Sequence, residues 1–173
     1  VYNWLKMRAP ADIYPSEIVS YGFISSEYYE GMTFCFPMIF HNEAANKGLI
    51  KEIKVGFRHE NEIKYLDIDG KARLLELEYG TATQIDWDKF QEIGYRIIQP
   101  TYPIVVEAFS SQDAIIIGSA AYDDKIIPID KETSCVIEVY FGRNKMNKIE
   151  FPFLLTQDLV DIDNRLVWIK PVN

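Results

Sequence analysis

Residues 33 to 57 read TFCFPMIFHNEAANKGLIKEIKVGF. Two apolar runs flank a polar loop, and a proline sits inside the first. In that run Phe34, Phe36, Met38 and Phe40 alternate with Cys35, Pro37 and Ile39, the period-2 pattern of a half-buried strand. Proline donates no ladder hydrogen bond, so Pro37 marks an edge, a bulge, or a place where the strand leaves one partner for another. The motif returns as IEFPFLL at Ile149 to Leu155, which predicts a second interrupted strand. Prolines so placed also discourage edge-to-edge association. The loop from His41 to Gly48 reads as a connection, with Asn42 and Gly48 serving backbone geometry rather than catalysis.

The same rhythm runs along the chain. Alternating segments bounded by turn residues predict strands near 17–25, 32–41, 49–58, 62–68, 72–79, 95–99, 103–109, 113–121, 134–142, 148–156 and 165–169. Aromatics make up 14% of the sequence, with 11 Tyr and 10 Phe, and flat side chains of this kind pack well across strands. The expected fold class is all-β, an antiparallel two-sheet sandwich. One short helix is predicted near residues 86–94, where Asp86 caps the first turn, Phe90 and Ile93 form an apolar stripe, and Gly94 ends it. Residues 1–15 read as an extended lead-in and 16–173 as a single domain. A chain of 173 residues at this size buries about 70% of its unfolded surface without help from metal or disulfide.

Charge excludes one class of partner. The sequence carries 26 acidic and 18 basic residues, a formal charge of -8, and no basic stripe of the kind that nucleic-acid affinity requires. No apolar run approaches the roughly 20 residues of a membrane helix. Tyr2 and Trp4 beside Lys6 and Arg8 read either as the flank of a membrane helix or as a frayed end. On the first reading the membrane is met only through a segment outside this sequence. The basic residues by themselves favour the cytoplasmic side.

Chemistry-bearing residues are sparse. LDIDGKARLLELE matches a calcium loop at Asp67, Asp69, Gly70 and Glu76, but Tyr65 stands where the first ligand belongs, and the flanks alternate like strands. Asp69-Gly70 therefore reads as a β-hairpin turn. DIDN at Asp161 to Asn164 reads as a turn before the last strand. His41 and His59 have no zinc-ligand spacing, and Cys35 lies about 20 Å from His41 along one regular strand, too far to be activated. Strand parity puts Cys35 and Cys135 on different faces relative to their apolar neighbours, which disfavours a disulfide unless a bulge at Pro37 resets the phase. Asp86 with Asp88, and Asp123 with Asp124, read as solvated loop acids. Tyr28 with Tyr29, and Tyr95 with Tyr102, offer a platform for a sugar ring; core packing uses the same residue types.

Beyond these readings, FPMIFHNEAANKGLIKEIKVGF resembles a pattern of immunoglobulin-like β-sandwich domains in prokaryotic membrane-anchored proteins of unknown function. The matching positions are Phe36, Pro37, Phe40, Asn42, Gly48, Leu49, Ile50 and Ile53. SCVIEVYFGRNKMNKIEFPFLLT is similar to the late hairpin of such a sandwich. An antibody-type domain would carry Trp on its third strand and Tyr two residues before its second Cys, whereas this chain has Ile53 and Val55, and Thr133 before Cys135. The resemblance implies an N-terminal membrane helix and supplies no catalytic residue; the expected setting is membrane-associated, with the side open and the extracytoplasmic one slightly favoured. The functional expectation is a noncatalytic interaction or structural module with a protein partner. The alternative is a domain that binds a glycan or another small ligand. No enzyme activity, cofactor or metal is expected.

Overall fold

The computed structural model describes residues 10–27, 30–72, 101–163 and 165–171. Eleven strands occupy them: β1 (Ile13–Pro15), β2 (Tyr21–Ser26), β3 (Gly31–Asn42), β4 (Gly48–Arg58), β5 (Ile63–Tyr65), β6 (Asp67–Ala72), β7 (Ile104–Val106), β8 (Ser110–Ala121), β9 (Thr133–Phe141), β10 (Lys145–Phe153) and β11 (Val167–Ile169). The first sheet runs β11-β2-β3-β8-β6 with β1 added on β3, and the second runs β10-β9-β4-β5 with β7 added on β4. All named strand pairs are antiparallel. The molecule is therefore an all-β two-sheet sandwich. A single-turn helix (Gln157–Val160) precedes the last strand; the helix predicted at 86–94, the strand predicted at 95–99, and all but the first residue of the strand predicted at 72–79 lie outside the described residues.

Each sheet is organised around one long strand with a continuous partner on one side and two short partners on the other. Strand β3 pairs with β8 without a register break from Gly31 to Asn42. On its other side β2 covers Gly31 to Cys35 and β1 covers Phe40 to Asn42. Pro37 falls in the interval between them. The amide and carbonyl of Ile39 face Ser16, at the end of β1, and alternate residues of a strand point their polar groups the same way. The missing donor of Pro37 thus faces the interval rather than β8, so no ladder bond is lost. Strand β3 is not an edge. Pro152, in contrast, lies on β10, which among the described residues is an edge strand, opposite Ser134.

Strand β4 repeats the arrangement. It pairs with β9 from Ile50 to Phe57, with a register shift between Ile50 and Glu52, with β7 at Gly48 to Ile50 and with β5 at Gly56 to Arg58. In the interval the Tyr102 hydroxyl donates to the Ile53 carbonyl at 3.0 Å and accepts from the Ile53 amide. A side chain here supplies what a neighbouring strand would.

Parity decides the core. Phe34, Phe36, Met38 and Phe40 point between the sheets together with Cys135, Ile137, Val139 and Phe141. Tyr21, Phe57 and Phe153 complete an aromatic centre in which the Phe57 and Phe153 rings lie 4.5 Å apart. Burying each such ring contributes roughly 1.5–3 kcal/mol. Cys35 belongs instead to a smaller cluster with Ile24, Ile115, Ile117, Leu166 and Trp168 on the opposite face of its sheet. Both thiols are buried and free.

One expectation is corrected. Asp69-Gly70 is not a hairpin turn: the chain leaves the second sheet after β5, crosses at Leu66, and enters the first sheet as β6. Within β6 the register against β8 shifts between Ile68 and Gly70, a bulge that absorbs Asp69. Asp-Gly suits a bulge as well as a turn because both relieve the regular pleat. The expected late hairpin is present, with β9 and β10 joined through Gly142 and Asn144 at positive φ.

Candidate functional site

At one corner of the sandwich, β1, β3 and β8 set three polar side chains in a row. Tyr14 is opposite His41, and His41 is opposite Ser111. Tyr14 and His41 alternate with buried neighbours on their strands, so their side chains face outward, and Ser111 lies in the exposed opening of β8. The Tyr14 and His41 rings lie 5.5 Å apart at 32°. The Tyr14 hydroxyl donates to Glu43 Oε1 at 2.6 Å, and His41 Nδ1 shares a 2.8 Å hydrogen bond with Ser111 Oγ. The bond to Glu43 raises the Tyr14 pKa, with smaller contributions from desolvation and from the charges of Glu43 and Asp12.

Asn42 fixes the loops around this row. Its side chain is buried, and Nδ2 donates to the carbonyls of Asn46, Val106 and Glu107 while Oδ1 accepts from the Ala44 amide. The Phe109 amide then donates to the Ala44 carbonyl at 3.1 Å. These bonds tie the 43–47 loop to the 107–109 crossing. Gly48 closes the loop where β1 passes so near that a Cβ would stand 2.5 Å from Ile13 Cδ1. Asn42 and Gly48 thus serve backbone geometry, as their places in the sequence suggest.

Phe109 is what the corner presents. It is 68% exposed and held at φ 49°, a left-handed conformation uncommon outside glycine and asparagine. Together with Tyr14, His41, Glu43, Ser110 and Ser111 it borders a cleft of about 240 Å³. The chemistry on offer is aromatic faces, one carboxylate, the Tyr14 phenol and two serine hydroxyls. A serine nucleophile needs a base that is itself oriented by a third group, and here the neighbouring carboxylate bonds Tyr14 rather than His41.

The remaining sequence candidates lie apart from this corner. His59 bonds the Ile126 carbonyl through Nε2 at 2.8 Å, a bracket between two loops. Burial pushes the Cys35 thiol up to about 12 and raises that of Cys135. Asp67 and Asp69 sit in β6, Tyr65 donates to Glu138 in the second sheet, and Glu76 lies outside the described residues. Asp123 and Asp124 are exposed in the turn after β8. Asp163 accepts from the Glu27 amide and Asp161 from the Gln157 side chain. Among the described residues no three His, Cys, Asp or Glu side chains are grouped for a metal. Tyr28, Tyr29, Tyr95, Asp86 and Asp88 lie outside the described residues.

Two other features stand out. At the opposite end Met32, Tyr122, Ile127 and Val160 wall a cleft of about 440 Å³ rimmed by Glu27, Lys125 and Asp161. On the outer face of the second sheet the buried Glu138 carboxylate accepts from Tyr140 at 2.7 Å and Tyr65 at 3.3 Å, with the Lys54 ammonium over both rings. Neither arrangement was foreshadowed by spacing, because each joins strands far apart in sequence.

Comparison with protein-family models, curated proteins and solved structures finds no match. Among the described residues no helix is long and apolar enough to cross a membrane.

Proposed function

We propose that this chain is a noncatalytic interaction module of a membrane-tethered protein, and that it docks a protein partner through the corner carrying Phe109. The observation that carries the reading is Phe109 itself, an exposed aromatic whose backbone is held through the Asn42 network. Rigid aromatic anchors bind efficiently because little conformational freedom is lost on association. The tether rests on Tyr2, Trp4, Lys6 and Arg8 and on the family resemblance.

The test places a photo-crosslinking residue at position 109 in the full-length protein within its native membranes. A discrete crosslinked partner is expected, and the yield should fall when Asn42→Ala loosens the corner. A crosslink no stronger at 109 than at exposed Val19 overturns the docking reading. A reading frame with no apolar span upstream of Val1 overturns the tether.

A second reading is favoured by the Tyr14 and Phe109 rings beside Glu43 and two serine hydroxyls, a combination that suits a sugar. Binding to a glycan panel that is lost in Phe109→Ala supports it; no response to any glycan removes it.

A further inference from the structure

We infer that the cleft between Tyr14 and Phe109 is a receptor for one cationic side chain, the lysine or arginine of a partner polypeptide. The inference rests on the docking reading for its occupant, and on the chemistry of the cleft for its specificity. Aromatic faces attract organic cations through the ring quadrupole, and a carboxylate beside them supplies the opposite charge. The cleft provides both: the rings of Tyr14, His41 and Phe109, and the carboxylate of Glu43. Among the described residues no lysine or arginine lines it.

Geometry narrows the occupant. Clefts for small molecules run from about 300 Å³ upward; this one, at about 240 Å³, is nearer the size of a single side chain. Tyr14 engages Oε1 of Glu43 and so orients the carboxylate. The second oxygen belongs to an exposed side chain and can accept from an ammonium or guanidinium. Asp12, close enough to act on the Tyr14 hydroxyl, adds to the negative field. A neutral sugar would use the rings and hydroxyls but gain nothing from that field.

The experiment titrates the protein with N-acetylated, C-amidated Gly-Arg-Gly and Gly-Lys-Gly, each beside its neutral isostere bearing citrulline or norleucine, and with choline as a free cation. Ring and amide resonances of Tyr14, His41 and Phe109 report binding by NMR. The charged peptides should give saturable shifts at these residues, and the isosteres should not. Glu43→Gln should weaken binding about tenfold, and Asp161→Asn at the far end should leave it unchanged. A well-dispersed spectrum of each variant confirms folding.

Absence of shifts, or equal binding by the isosteres, overturns the inference. Tighter binding of choline than of either peptide overturns the polypeptide as its source. If the cationic peptides fail while position 109 still crosslinks a partner, docking survives and the cation receptor does not. Charged peptides that bind while the crosslink fails leave the receptor standing and remove the docking reading.

Discussion

The hydroxyl of Tyr102 brackets the backbone of Ile53, donating to its carbonyl and accepting from its amide. In the first sheet the equivalent interval holds Pro37, which has no amide to satisfy. Two solutions to one problem follow from side-chain chemistry: one removes the donor, and the other brings a partner to it.

Replacing Tyr102 by Phe leaves both Ile53 groups without that partner. Unsatisfied buried polar groups cost about 1–3 kcal/mol, and we expect a loss of that size in urea unfolding. Amide exchange at Ile53 should accelerate. A change below about 0.5 kcal/mol would mean that water takes the place of the hydroxyl.

Pro37 makes a paired prediction. Pro37→Ala should cost only about 0.5–1 kcal/mol, chiefly through greater freedom of the unfolded chain. Met38→Pro, one residue along, removes an amide that faces β8 and a buried side chain, and should cost about 3 kcal/mol or more. Equal effects at the two positions would contradict the assigned direction of the Pro37 nitrogen.

Gly48→Ala tests the packing of β1. The new methyl would stand 2.5 Å from Ile13 Cδ1 and 2.7 Å from Ala11 Cβ. Overpacking of this kind costs about 1–3 kcal/mol, and amide protection in β1 should fall before that of β8. Wild-type protection in β1 would show that the two segments move apart freely.

Alkaline pH should unfold the protein through its phenols. Tyr140 is pushed up to about 12 by its hydrogen bond to Glu138, and burial raises Tyr21, Tyr65 and Tyr102. A group that holds its proton more tightly when folded loses its contribution as pH climbs from the unfolded pKa to the folded one. Stability should therefore decline between about pH 10 and 12, and Tyr140→Phe should make the decline shallower. A pH profile unchanged by Tyr140→Phe would remove Glu138 as the cause.

Much of the architecture was legible because parity is local. Phe34 to Phe40 and Cys135 to Phe141 announce their faces within a single strand, so the core and the separation of the two cysteines follow directly. Asp69-Gly70 misled because the same dipeptide suits a turn and a bulge, and only the path between sheets distinguishes them. The corner was not legible. Tyr14 fell in an apparent lead-in, Phe109 at the end of a predicted strand, and Ser111 just ahead of another; they meet His41 through pairings that a linear reading does not contain. A polar run at Ser110 to Asp113 opening an apolar strand was the one available hint of an exposed end.

The long register of β3 on β8 also sets the tempo of folding. Asn42 meets Ser110 and Gly31 meets Ala121, so the central ladder of the first sheet forms only after everything between has been drawn into a closed loop. The β9–β10 hairpin turns back at once through residues 142–144. Closing a long loop costs entropy before any contact repays it. The β4–β9 ladder, where Ile50 meets Phe141, is no more local than β3 on β8. Each sheet thus has one local hairpin, β2–β3 or β9–β10, and is completed only by a distant encounter, until which the inward-facing phenylalanines of β3 stand open to any neighbouring chain.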